Sequence, residues 1–166
     1  CLTLGASLED VRAGLAAAAP AFGRAETVRL ADRDVSLLLI KNPAGANEVL
    51  RTLTLEPGEH DVLGILNDGI ADGRDVSWVW DADWELLAPR VRRMWCAGTR
   101  AAELAVRLKY AGVPADRLTV VDDPDAALDT AAAGGEGALY VLPTYTALLG
   151  LRETLARRGA APEYWR

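Results

Sequence analysis

Between Leu66 and Asp83 the chain reads LNDGIADGRDVSWVWDAD, which places five aspartates, one arginine and two tryptophans in eighteen residues. Carboxylates at that density suit three kinds of work: holding a divalent cation, turning and capping the backbone, or orienting an imidazole supplied by another group. The calcium-loop arrangement fails, because Asp68 is not followed by acidic or amide ligands at alternate positions. The third role needs only one carboxylate, which fixes a histidine and stabilises its imidazolium as the last member of a nucleophilic triad. Trp78 and Trp80 bear on the choice, since exposed indole surface is costly. Either they anchor the segment and aim its carboxylates, or they pack the domain's own end while the aspartates form turns and caps.

The rest of a triad is missing from the chain. Its one histidine, His60, follows the Pro57-Gly58-Glu59 turn and precedes a strand. It is expected on the surface, at the end of the sheet away from the site. Cys96 lies in an apolar strand-like run and reads as a small core residue. With Cys1 as the only other cysteine, no Cys/His metal cluster can be assembled, and a reduced cytosolic protein is a simpler reading than a disulfide framework.

Two further turns carry polar groups. Lys41-Asn42-Pro43-Ala44-Gly45 ends one strand and starts a helix, where free N–H groups and a lysine can meet an anion. The glycine and lysine spacing of a P-loop is absent, and an ordinary strand-to-helix turn explains it as well. Leu142-Pro143-Thr144-Tyr145-Thr146-Ala147 joins the last strand to the last helix, with Thr144 placed to cap and Tyr145 and Thr146 within reach of a ligand.

These turns must be held by an alternation of apolar strands and amphipathic helices. Ser7 caps a first helix that runs towards Pro20, and Pro20–Arg24 reads as a linker. Thr27–Leu30 and Val35–Ile40 form a hairpin-like opening around Asp32-Arg33-Asp34. Strands at Val62–Leu66, Arg93–Ala97, Leu118–Val121 and Ala138–Leu142 follow. Helices are expected over Ala46–Leu53, Arg100–Tyr110 (capped by Thr99), Asp125–Ala133 and Tyr145–Arg158. The pattern predicts an α/β, doubly wound, mostly parallel sheet of about five strands with helices on both faces. Ligands in such folds lie at the carboxyl ends of strands, which selects the loops beginning at Lys41, Asn67, Gly98, Asp122 and Pro143.

A length of 166 residues favours one domain. The net charge of −6 repels phosphate backbones and argues against nucleic acid as a partner. Arg90, Arg92, Arg93, Arg157 and Arg158 read as charged helix ends and solvated faces. No apolar run is long enough for a transmembrane segment, and no basic n-region with an apolar core marks a signal peptide. The chain starts at Cys1 without an initiating Met, so a piece of a longer polypeptide is expected.

Gly23-Arg24 ahead of a hairpin, and a strand ending in Asn42-Pro43, resemble the opening of the C-terminal domain of Mur ligases. A longer set is similar to the MurT family, the Mur-ligase-like subunit of lipid II isoglutaminyl synthase. It comprises Lys41–Gly45, Asn67-Asp68, Ala71–Asp75, Ser77-Trp78, Arg107–Gly112, Thr144–Thr146 and Leu151-Arg152, and the likeness runs from about Leu2 to Trp165. It implies residues 1–22 as the tail of a central ATP-binding domain plus linker, and 23–166 as the C-terminal α/β domain. It also implies a GatD-type glutaminase partner that releases ammonia. ATP and magnesium then activate the D-glutamate α-carboxylate of lipid II, and ammonia converts it to D-isoglutamine for peptidoglycan synthesis. Such a protein would sit in the cytoplasm, at the inner face of the membrane through its lipid-linked substrate.

The family's Walker-type ATP loop and cysteine zinc ribbon belong to the central domain and do not occur here, so no ligand or ATP hydrolysis is expected of this fragment alone. The resemblance assigns the donated carboxylate to the Ala71–Asp75 region, with Asp75 favoured and Asp81, Asp72 and Asp68 in reserve. Arg24, Lys41, Asn42, Asn67, Thr144 and Tyr145 would line the substrate and nucleotide cleft, and no metal ligand is expected. Two other classes compete: a noncatalytic interaction module docking through Trp78 and Trp80, and a Rossmann-type nucleotide enzyme. The latter is disfavoured because no Gly-x-Gly-x-x-Gly follows a strand.

Overall fold

In the computed structural model, which describes residues 1–17, 24–30 and 32–161, six strands form one sheet. They are β1 (Arg24–Leu30), β2 (Arg33–Leu38), β3 (His60–Ile65), β4 (Val91–Ala97), β5 (Leu118–Val120) and β6 (Leu139–Pro143). Their spatial order is β1-β2-β6-β3-β4-β5, with β1 antiparallel to β2 and every other pairing parallel. The doubly wound sheet expected from the sequence is therefore present, with one strand more. The opening hairpin joins the sheet and its first strand becomes an edge. Residues 20–23 of the expected linker, and the end of the resemblance at Trp165, lie outside the described residues.

β3 is central, and all six of its residues are buried. Such a strand must be covered on both faces, which the helices supply. On one face lie α2 (Pro43–Leu55), α3 (Ala101–Tyr110) and the 3-10 turns between Ser77 and Arg90. Their Leu50, Leu53, Trp84, Leu104 and Leu108 pack on Val62 and Met94. On the other face α4 (Pro124–Ala133) and α5 (Tyr145–Arg157) set Leu128, Leu148 and Leu151 against Leu63, Ile65 and Trp95. A preceding helix, α1 (Leu8–Ala17), closes a reciprocal cap between Ser7 and Asp10 but contributes no buried residue.

The amino end of the sheet is pinned by a buried carboxylate. Asp61 is fully buried in β3 and receives Arg33 Nη2 at 2.9 Å and a two-pronged contact from Arg92, both bonds at 2.8 Å. Arg33 also donates to the carbonyls of Ala131 and Gly137, and Arg92 to that of Glu136, so the loop after α4 is tied to β2, β3 and β4 together. Gly135 is required there, since a Cβ would fall 1.8 Å from Asp61 Oδ2. Arg92 is thus half-buried structure and not part of a solvated face.

His60 also departs from expectation. It lies at the anticipated end of the sheet but is buried, with Nε2 3.0 Å from the Leu53 carbonyl and its ring edge-on to Tyr140. A histidine opening a strand under α2 can meet the last turn of that helix, which periodicity does not reveal. The Asp61 cluster yields a stability prediction. Asp61→Ala strands two guanidinium groups and should cost about 3–5 kcal/mol in urea unfolding. Asp34→Ala, which removes the exposed ion pair with Arg29, should cost less than about 1 kcal/mol.

Candidate functional site

β3 and β6 are neighbours in the sheet, yet the chain leaves them towards opposite faces, to the Ser77–Arg90 layer and to α5. Diverging exits open a crevice at the carboxyl ends of the strands. Asn67 occupies its centre. Its backbone N–H donates to Thr144 Oγ1 at 3.1 Å, its Nδ2 to Thr146 Oγ1 at 3.0 Å, and its Oδ1 accepts the Thr99 N–H at 3.1 Å. One side chain therefore ties together the ends of β3, β4 and β6. Gly98, at φ +93°, makes the approach possible, because a Cβ would lie 2.6 Å from both Asn67 Oδ1 and the Leu66 carbonyl.

Two aspartates are used up in holding this rim. Asp72 accepts the Thr146 N–H at 2.8 Å and the Thr146 hydroxyl at 2.5 Å, and so caps α5 from a distant part of the chain. Asp68 accepts Thr99 Oγ1 at 2.8 Å and Arg100 Nε at 2.9 Å. The Thr99 hydroxyl, with the Arg100 contact added, holds the Asp68 carboxyl below the usual range. Thr99 was expected to cap α3; the N-cap position falls on Arg100 instead, and the Thr99 hydroxyl turns to Asp68. Thr144 likewise makes no side-chain cap bond, its hydroxyl being taken by Asn67.

Asp75 and Asp81 are different. Both are exposed, one at each end of the 3-10 turn Ser77–Trp80. Asp75 Oδ1 accepts the Ser77 N–H at 2.8 Å, and Ser77 holds this carboxyl low as well. The five aspartates thus divide: Asp68 and Asp72 face the crevice, while Asp75 precedes the 3-10 turn and Asp81 and Asp83 follow it on the exposed flank. Asp83 is fixed there by Asn47 Oδ1 on its N–H at 2.8 Å. Trp78 packs against the core, and Trp80 stays half exposed beside Arg107 and Tyr110.

The Lys41 turn sits on the same rim. Lys41 Nζ stands 5.6 Å from the Tyr145 ring centroid, a cation over an aromatic face. Asn42 Oδ1 accepts the Gly45 N–H at 2.8 Å and Pro43 has no N–H, so the donors that an anion would use are partly spent. A groove of about 490 Å3 runs beside this turn between Leu38, Leu39, Lys41 and Val49. A second hollow, of about 570 Å3, lies over Asn67, Thr99, Glu103 and Asp122. Lys41, Asn42, Asn67, Thr144 and Tyr145 share one end of the sheet; the expectation for Arg24 rests on a side chain outside the described residues. The sequence offers Thr99 only as a helix cap and Arg107 only within the MurT-like run Arg107–Gly112. An arginine just past a strand end is the only signal that Arg100 carries.

Among the described residues no cluster of three or more His, Cys, Asp and Glu side chains can hold a metal ion, and no helix is long and apolar enough to cross a membrane. Cys96 is buried, and burial pushes its thiol up to about 12.

The chain shares this architecture with solved structures of low sequence identity. It superposes on E. coli FolC in complex with DHPP and ADP with a TM-score of 0.60 at 22% identity, covering 92% of this chain and 35% of that one. MurF from Acinetobacter baumannii gives a TM-score of 0.57 at 20% identity, covering 95% and 34%. Residues 39–148 match the family described as MurT ligase C-terminal, and the chain belongs to that family. The lipid II isoglutaminyl synthase (glutamine-hydrolyzing) subunit MurT of Streptococcus pneumoniae is 36% identical over 156 residues, 93% of this chain. The chain spans about a third of that relative's length, 35%.

Two measurements follow. Thiol labelling of the native protein should modify exposed Cys1 quickly and Cys96 only after denaturation, because a thiol of raised pKa stays protonated near neutrality. Asp68 has a depressed folded pKa, so its rim contacts contribute fully above the ordinary carboxylate value of about 3.9 and are lost as pH falls through the lower folded value. An NMR titration should show the Asn67 and Thr99 amides unmoved from pH 7 to 5 and shifting together only below that carboxylate value.

Proposed function

We propose that this chain is the C-terminal domain of a MurT-type subunit that works with a GatD-type glutaminase. The pair would convert the D-glutamate α-carboxylate of lipid II to D-isoglutamine at the expense of ATP. The observation that carries the reading is the family match over residues 39–148, which takes in the crevice and the acidic flank together. A free carboxylate is a poor electrophile towards ammonia, so activation, as an acyl phosphate, must come first. The ADP bound to the FolC relative agrees with a nucleotide-dependent ligase class.

Asn42 already takes the Gly45 N–H, and no P-loop spacing occurs in the sequence, which supports assigning the nucleotide and its magnesium to another part of the subunit. The zinc that the family resemblance implies is proposed for that same part. Residues 1–22 are read as the tail of that part and 23–166 as this domain. The absence of buried residues from α1 supports the division. Lys41, Asn42, Asn67, Thr144 and Tyr145, with Arg24, would face the ATP-bearing domain across the crevice. The placement proposed is the cytoplasm, where the lipid-linked substrate presents its stem peptide.

For the glutaminase, one carboxylate of this domain would orient the partner's histidine. Asp75 remains the first candidate and Asp81 the second, because both are exposed and neither is spent on the rim; Asp72 and Asp68 are engaged. Glutamine hydrolysis by the complete subunit with its glutaminase tests the assignment. Asp75→Asn or Asp81→Asn should lower kcat by on the order of 10^2–10^4, the range of a lost triad carboxylate. Asp72→Asn and Asp68→Asn should act mainly on stability. Full activity in all four variants would end the donation reading.

A further inference from the structure

The turn between Asp75 and Asp81 is held from beneath by one guanidinium, that of Arg107. This side chain rises from α3 beneath the flank and is 5% exposed. Its Nε donates to the Val79 carbonyl at 3.2 Å, and its Nη2 to the Ala82 carbonyl at 2.8 Å and to Glu85 at 2.9 Å. The Trp80 ring closes over it, 5.5 Å from centroid to guanidinium carbon. Trp84 Nε1 donates to the same Val79 carbonyl at 3.0 Å. Val79 belongs to the turn whose first residue, Ser77, gives its N–H to Asp75, and Ala82 directly follows Asp81. The turn and the backbone that directly follows it are therefore held by one planar, multiply donating group.

That arrangement exceeds what burial of the segment requires. Val79, Ala82, Trp84 and Leu87 already supply the apolar contacts to α2 and α3. An arginine in the same layer adds desolvation cost, and its return is geometric: a rigid fork fixes the carbonyls it binds in direction as well as distance. Lysine has one ammonium on a flexible stem and cannot reproduce the fork.

We infer that Arg107 is a positioning residue for the carboxylate that this domain presents to its partner, acting through the Val79 and Ala82 carbonyls. The inference rests on the reading of Asp75 or Asp81 as the donated group. Misplacing a catalytic partner by about 1 Å can cost on the order of a hundredfold in rate without loss of binding. Glutamine binds on the glutaminase, so kcat falls while KM for glutamine stays put.

The test is a double-mutant cycle in the complete subunit bound to its glutaminase. Arg107→Lys should lower glutaminase kcat at least about tenfold with KM within twofold. In the background of whichever of Asp75→Asn and Asp81→Asn is damaging, it should add no further loss, because both changes disable one route. A merely structural role predicts an equal additional loss in that background. Glu85→Lys, an exposed change that sets a like charge against Arg107, gives a second variant if the buried substitution impairs folding; it should show the same split and the same non-additivity. Wild-type kcat in folded Arg107→Lys and Glu85→Lys, beside a crippled aspartate variant, would overturn this inference alone. Full activity in both aspartate variants would overturn the donation reading and this one with it.

Discussion

The carboxyl end of the sheet depends on a side-chain amide. β3 is buried along its whole length, so the chain leaving it needs polar partners as soon as the ladder ends. Asn67 meets that requirement in three directions, to Thr144, Thr146 and Thr99. With both halves of its amide committed, the ends of three strands are held in register. Asp72 and Asp68 then brace the hydroxyls of Thr146 and Thr99. The crevice is thus a network in which nearly every donor has an acceptor, and its shape follows from the requirement that buried polar groups be paired.

The elements of this fold were readable because their periodicities are clean. The apolar runs at Val62, Arg93 and Ala138, and the cap at Ser7, fall where the strands and helices occur. What could not be read was every choice made by tertiary contact. Nothing local distinguishes Asp72, which caps a helix 74 residues away, from Asp75, which turns back on its neighbour Ser77. Thr99 has the composition and position of a cap, yet a nearby carboxylate outcompetes the backbone for its hydroxyl. His60 and Arg92 were placed by the usual preference of polar residues for water, and a helix carbonyl and a buried aspartate override it.

The acidic segment was legible as a place and not as a division of labour. Reading eighteen residues as one surface missed that the chain turns from the crevice on to the flank within them. Two buried groups make that turn, Trp84 and Arg107, and both hold the Val79 carbonyl. Their partners lie in a 3-10 turn that has no strong sequence signature, which is why the arginine's role is visible only in three dimensions.

The two edges of the sheet have a consequence for how neighbours can approach. β5 is only three residues long, and β1 carries Glu26, committed to Arg152, and Arg29, paired with Asp34. Short or charged margins are poor templates for strand addition. Recruitment by backbone pairing is therefore disfavoured at both sides, and so is the edge-to-edge stacking that leads to aggregation. Any protein that settles on this domain must recognise it through side chains and turns, which gives mutation of single residues an unusually direct hold on selectivity.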